Sequence, residues 1–179
     1  SVHTGPFNIN GIKKIIPELR KMRVLPFETS QQLLQKKLAD LGVVLICLPH
    51  LEGSFLQGAA FCEGSKIVIG MTVRGKDGDR FWFSLFHELG HIVLGHLQLG
   101  QPLTDDQEKA ADLWAANSLI SGEDYELFIK TGTISEESIL RFAKEQKIDP
   151  GIVVCRLQSD KLISSSHLNH LKTQYTIQN

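Results

Sequence analysis

The chain has 179 residues and a formal net charge of −1, from 19 Lys and Arg against 20 Asp and Glu. That length suffices for one domain with a real core, burying roughly two-thirds of its unfolded surface. With no long basic run, no apolar stretch of bilayer-spanning length and no signal-peptide pattern at the start, neither a nucleic-acid surface nor a membrane protein is expected. Cys47, Cys62 and Cys155 are an odd set without metal-ligand spacing, which fits reduced thiols in or near the core of a cytoplasmic protein. None has a recognisable partner as a nucleophile.

In chain order, the pattern predicts a helix over 11–22 that Pro17 interrupts, then a capped amphipathic helix over 30–41 with Leu33, Leu34, Leu38 and Leu41 inward. Gly42 ends it. Residues 43–48 form a continuous apolar run of strand length; 55–62 and 66–73 are further strands joined by the turn 63–65. Together they read as a small, mostly antiparallel sheet, with 66–73 as the candidate edge to which an extended peptide would add. A loop over 75–79 leads into the next helix. Beyond 121–122 the chain returns to helix over 123–130, 135–146 with Ser135 as cap, and 150–158. The polar segment from 164 is expected to be loosely held.

The helix after the loop carries the chemistry. Counting about 100° per residue, Trp82, Leu85, Phe86, Leu89 and Val93 fall on one stripe, opposite Ser84, His87, Glu88, His91 and Gly95. Asp77 or Asp79 is placed to cap its start, and 95–102 supplies stop signals. Within it, His87-Glu88-Leu89-Gly90-His91 places two imidazoles one turn apart on one face, where both reach the same ion. Glu88 lies close enough to bind a metal-activated water without being a ligand. Gly90 costs about 1 kcal/mol relative to Ala in a helix interior, so another element is expected to approach its backbone closely.

Catalytic zinc usually takes three protein ligands and a water, so a third ligand must come from elsewhere. Glu108 is the best candidate, on a helix opened by a Thr104/Gln107 capping box. There Glu108, Ala111, Asp112 and Ala115 share a face, and the two alanines are small enough to let this helix press against the first. Asp112 is then placed to accept the second ring N–H of one zinc histidine. The bland alternative makes His87 and His91 ordinary polar positions on an exposed face, with Glu108 paired to a surface cation; Asp112 in an otherwise apolar run is then unexplained. A structural zinc site is a further alternative. His96, about 140° round the helix from His91, is poorly placed for the same ion, so a role on the surface or behind the ligands is expected instead of ligation. His50, Tyr125, His167 and His170 are candidates for the donor that stabilises an oxyanion.

The stretch 81–91, followed by 108–116, resembles the ImmA/IrrE family of metallopeptidases. The likeness extends through Ile148-Asp149-Pro150 to Gln158, where similar chains often have His for Asp149 and Gly for Cys155, and so covers about 30–162. It implies an α+β, zincin-like fold in which a small sheet packs against the zinc helix and a helical part follows. It also implies a thermolysin-type site: metal ligands His87, His91 and Glu108, Glu88 as catalytic general base, Asp112 behind the ligands, and Zn2+ as cofactor with Mn2+ as the alternative. The implied division is an N-terminal helical extension or linker over 1–29, a metallopeptidase domain over 30–163 and a tail over 164–179. The implied substrate and partner is a regulatory protein, often a helix-turn-helix transcriptional repressor cleaved under stress or mobile-element induction. The chain opens on Ser1 without an initiator methionine, which leads to the expectation of a fragment preceded by a helix-turn-helix domain. Two rival functions use the same residues: an antitoxin-like regulatory module that binds a partner or signal without turnover, and a hydrolase acting on a non-peptide bond.

Overall fold

The computed structural model describes residues 4–49, 58–64, 66–73, 78–97 and 101–171. Among these, α1 spans Ile9–Lys21, α2 Phe27–Asp40, β1 Val43–Pro49, β2 Gly58–Glu63 and β3 Lys66–Val73. The helices α3 (Gly78–Val93), α4 (Asp105–Leu119), α5 (Gly122–Lys130), α6 (Glu136–Gln146) and α7 (Pro150–Ser159) follow, so the chain is α+β with a helical C-terminal part. None of these helices is long and apolar enough to cross a membrane.

The sheet has the order β1-β3-β2, with β1 parallel and β2 antiparallel to β3. It is therefore mixed, where a mostly antiparallel sheet was expected. Its register sets the faces, because side chains alternate along a strand. Val43, Leu45, Ile67, Ile69 and Met71 point inward with Ala60 and join the core under the helices, whereas Ile46, Leu48 and Phe61 on the other face are exposed. The expectation that 66–73 is an edge is wrong. β3 is paired along both edges, to β1 and to β2, with Ile67, Ile69 and Met71 buried on its inner face and Val68 on the other. Among the described strands the edges are β1 and β2.

Two helix starts differ from expectation. α1 runs unbroken through Pro17, the ring's lost hydrogen bond being offset by burial of Ile12, Ile16 and Leu19. α2 begins at Phe27, and Ser30 is buried inside it, its hydroxyl donating back to the Pro26 carbonyl at 2.9 Å, with those of Met22 and Leu25 as more distant alternatives, instead of capping the helix. Other local signals act as read. Gly42 takes φ +81 after α2; Thr104/Gln107 closes a capping box on α4, and Ser135 caps α6 through a box with Ser138. Asp149 caps α7 by accepting from the Gly151 N–H at 2.7 Å. Asp79 lies within α3, while Asp77, Ser65 and residues 55–57 of the expected second strand lie outside the described residues. From the expected loose tail, His167 and Asn169 are tied to Gln158 of α7.

The site depends most on how α3 meets α4. A Cβ built on Gly90 would lie 3.2 Å from the Ala111 carbonyl oxygen and 3.2 Å from the Trp114 ring, so the glycine lets the two backbones approach closely. Ala111 and Ala115 are fully buried at the same seam. Gly90→Leu is expected to destabilise the metal-free chain by about 1–3 kcal/mol through overpacking and to weaken metal binding, because it drives Glu108 away from α3. Denaturant unfolding and a zinc titration check both; an unchanged unfolding midpoint would mean the seam is looser than these distances say.

Candidate metal centre

α3 is covered on more than one side. Besides Leu85, Phe86 and Leu89, its opposite stripe is also buried, with Ser84 at 9%, Glu88 at 7% and His91 at 1% exposure. α4 covers that stripe on one flank and β2 on another. The face that carries the chemistry thus sits in a cleft between helix and strand.

The structure brings His87, His91 and Glu108 together. The two Nε2 atoms are 2.9 Å apart, and Glu108 Oε2 is 3.1 Å from His87 Nε2 and 3.6 Å from His91 Nε2. Ligands about 2.0–2.1 Å from a tetrahedral zinc lie roughly 3.3 Å from one another, and these three separations bracket that value. Two imidazoles and one carboxylate also form the donor set of a catalytic zinc, with a fourth position left for solvent. The residues therefore fit a divalent metal. Glu108 is 45% exposed in its side chain against 1% for His91, so the group opens to solvent past the glutamate.

Outer partners hold both rings. His87 Nδ1 lies 2.8 Å from Asp112 Oδ1, one turn beyond Glu108 on α4. His91 Nδ1 lies 3.0 Å from His96 Nδ1, which places His96 behind the ligand ring, one of the two roles that counting round the helix had left open for it. The surroundings push the two ring pKa values in opposite directions. Burial lowers the His87 ring pKa, but Asp112, Glu88 and Glu108 together outweigh it and leave it raised. Burial and the neighbouring His87 lower that of His91. A divalent cation held here would need both Nε2 lone pairs bare, so its binding would compete with protonation of the rings.

Glu88 does not touch the metal group as a ligand. Its carboxyl is held by the Ala60 N–H of β2; burial raises its pKa, with the charge of His87 and that hydrogen bond acting against the rise. Gly58 leaves the space: a Cβ there would come within 3.1 Å of Glu88 Oε1. β2 was expected as a strand, but its part in holding Glu88 was missed. Its only trace in the sequence is the small-residue run Gly58-Ala59-Ala60.

The remaining candidates lie elsewhere or have other partners. Tyr125 is buried under the Arg156 guanidinium, 3.8 Å above its ring, and burial raises its hydroxyl pKa. His170 pairs with Glu136 of α6 at 3.1 Å. His167 meets Gln158 through its carbonyl, and His50 lies outside the described residues. Burial pushes the Cys47 thiol up to about 11, which leaves it protonated and unreactive near neutral pH.

Two comparisons bear on this arrangement. A family model for the IrrE N-terminal-like domain, Peptidase_M78, matches residues 68–158, just over half of the 179-residue chain and inclusive of all five site residues. No curated protein matches the chain.

Proposed function

Because the chain belongs to the IrrE N-terminal-like family of metallopeptidases, we propose that it is a zinc-dependent endopeptidase that cleaves a regulatory protein, most simply a helix-turn-helix repressor. The observation that carries this reading is the spacing of His87 Nε2, His91 Nε2 and Glu108 Oε2, with the buried Glu88 carboxyl beside them. His87, His91 and Glu108 hold the metal, zinc in the first place and manganese as the alternative. When bound, zinc supplies Lewis acidity that acidifies water and polarises a carbonyl.

The chain's own residues do the rest. Glu88, desolvated and with its pKa raised, takes a proton from the attacking water and passes it to the leaving amine. Asp112 accepts the His87 Nδ1–H, fixing that ring's tautomer and orientation. β2 is the edge strand on this side of the sheet, and its Ala60 N–H already points to Glu88. An extended segment adding to β2, not to β3, runs past the general base, which favours a peptide over a compact small molecule as substrate.

The test is co-incubation of the chain with a helix-turn-helix repressor, with and without a chelator, with products read by mass spectrometry. One or a few chelator-sensitive cuts are expected. Stable binding with no cleavage at saturating zinc would instead make the chain a regulatory module that uses a peptidase fold to hold its partner.

A further inference from the structure

As long as α3 is imagined to continue, His96 cannot reach the same ion as His91, because five residues on is about 140° round a helix, and the partner it does reach is left open. The helix does not continue. Gly95 takes φ +73, a left-handed conformation, and the chain turns back in a Schellman motif: the Gly95 N–H donates to the Ile92 carbonyl at 3.2 Å and the His96 N–H to the His91 carbonyl at 2.9 Å. This reversal lays His96 over His91. The two Nδ1 atoms are 3.0 Å apart, and the rings meet nearly edge to face, with centroids 5.2 Å apart and planes at 64°.

Which nitrogen carries which proton follows from the geometry. His91 Nε2 faces His87 Nε2 and Glu108 Oε2, so as a ligand it presents a bare lone pair there. The proton of a neutral His91 then sits on Nδ1. At 3.0 Å it donates to His96 Nδ1, which must be the bare nitrogen, with the His96 proton on Nε2. We propose, on the metal-centre reading above, that His96 is a positioning residue: an acceptor that holds His91 in its Nδ1–H tautomer and aims its Nε2 lone pair at the metal. Both ligand rings are then fixed from behind, His87 by a carboxylate on α4 and His91 by an imidazole that the Gly95 turn delivers. The carboxylate also raises the basicity of its ring; the imidazole acts by orientation.

The test uses the full chain, zinc alone as the probe and three forms: unaltered, His96→Phe and His96→Asn. The Asn carbonyl oxygen falls where the His Nδ1 lay and still accepts, whereas Phe keeps the bulk and loses the acceptor. His96→Phe is expected to weaken zinc binding about tenfold or more in competition with a chromophoric chelator, and His96→Asn to recover most of that loss. In the metal-free chain, ring-nitrogen NMR should show His91 as the Nδ1–H tautomer in the unaltered and Asn forms and a mixture in the Phe form. Because a Cβ on Gly95 meets nothing within 4 Å among the described residues, Gly95→Ala acts on the left-handed turn, and it should lower zinc affinity in the same direction as His96→Phe. Zinc held as tightly by His96→Phe as by the unaltered chain, or an equal loss in Phe and Asn, overturns the role of His96 alone. An unaltered chain that takes up no zinc removes the metal centre and this inference together.

Discussion

Glu88→Gln is expected to bind zinc as tightly as the unaltered chain and to cleave its substrate about 10²–10⁴-fold more slowly, a loss of roughly 3–5 kcal/mol of transition-state stabilisation. Gln has the shape of Glu, and its amide oxygen can still accept from the Ala60 N–H that now holds the carboxylate. Only the ability to take and return a proton is lost. The fold should not suffer, since a group 7% exposed is easier to bury as an amide than as a carboxylate. Zinc content by atomic absorption, substrate turnover and the denaturant midpoint separate these effects. Full activity in Glu88→Gln would remove the base assignment while leaving the metal centre standing.

Glu108→Ala is expected to lose zinc, by more than the ten- to hundred-fold that removal of an outer partner costs. Removing it takes away one of the three converging ligand atoms, 3.1 and 3.6 Å from the imidazole nitrogens. The metal-free chain should barely notice. Glu108 is half exposed, α4 keeps its Thr104/Gln107 capping box, and one acidic side chain fewer in the first turn costs below about 1 kcal/mol. Zinc at one hundred times its dissociation constant stabilises a folded chain by about 2.7 kcal/mol, so thermal unfolding with and without zinc gives the readout. The stabilisation should be present in the unaltered chain and absent in Glu108→Ala. If zinc raised the unfolding temperature of both equally, the ion would be bound elsewhere.

How much of this was legible in the sequence depends on how local each feature is. The His87/His91 pair, the placing of Glu108 and Asp112 one turn apart, the close approach at Gly90 and the caps at Thr104 and Ser135 follow from helix geometry within a few residues. Ser30 misled because a serine near a helix start is usually its cap, whereas here the helix had already begun at Phe27. The central place of β3 was not readable, because which strand pairs on both edges is set by partners distant in sequence, and an edge strand was expected. For His96 the helical wheel argued against ligation and left a place on the surface or behind the ligands, but it could not choose between them because it assumes that the helix goes on. The signal was the glycine one residue before it, whose left-handed conformation turns the chain round.

The sequence by itself determined the chemistry on offer: two imidazoles on one helix face, a carboxylate beside them, and a second capped helix bearing a third ligand and its neighbour. These are short-range matters, settled by the 3.6-residue repeat and by side chains that cap backbone groups nearby. Only the tertiary structure decided that β2 lies beside Glu88, that the sheet is mixed with β3 at its centre, and that His96 returns to His91. Strand order and chain reversal arise from pairings between segments whose contacts leave no fixed spacing in the sequence, so they appear only once the core has closed around them.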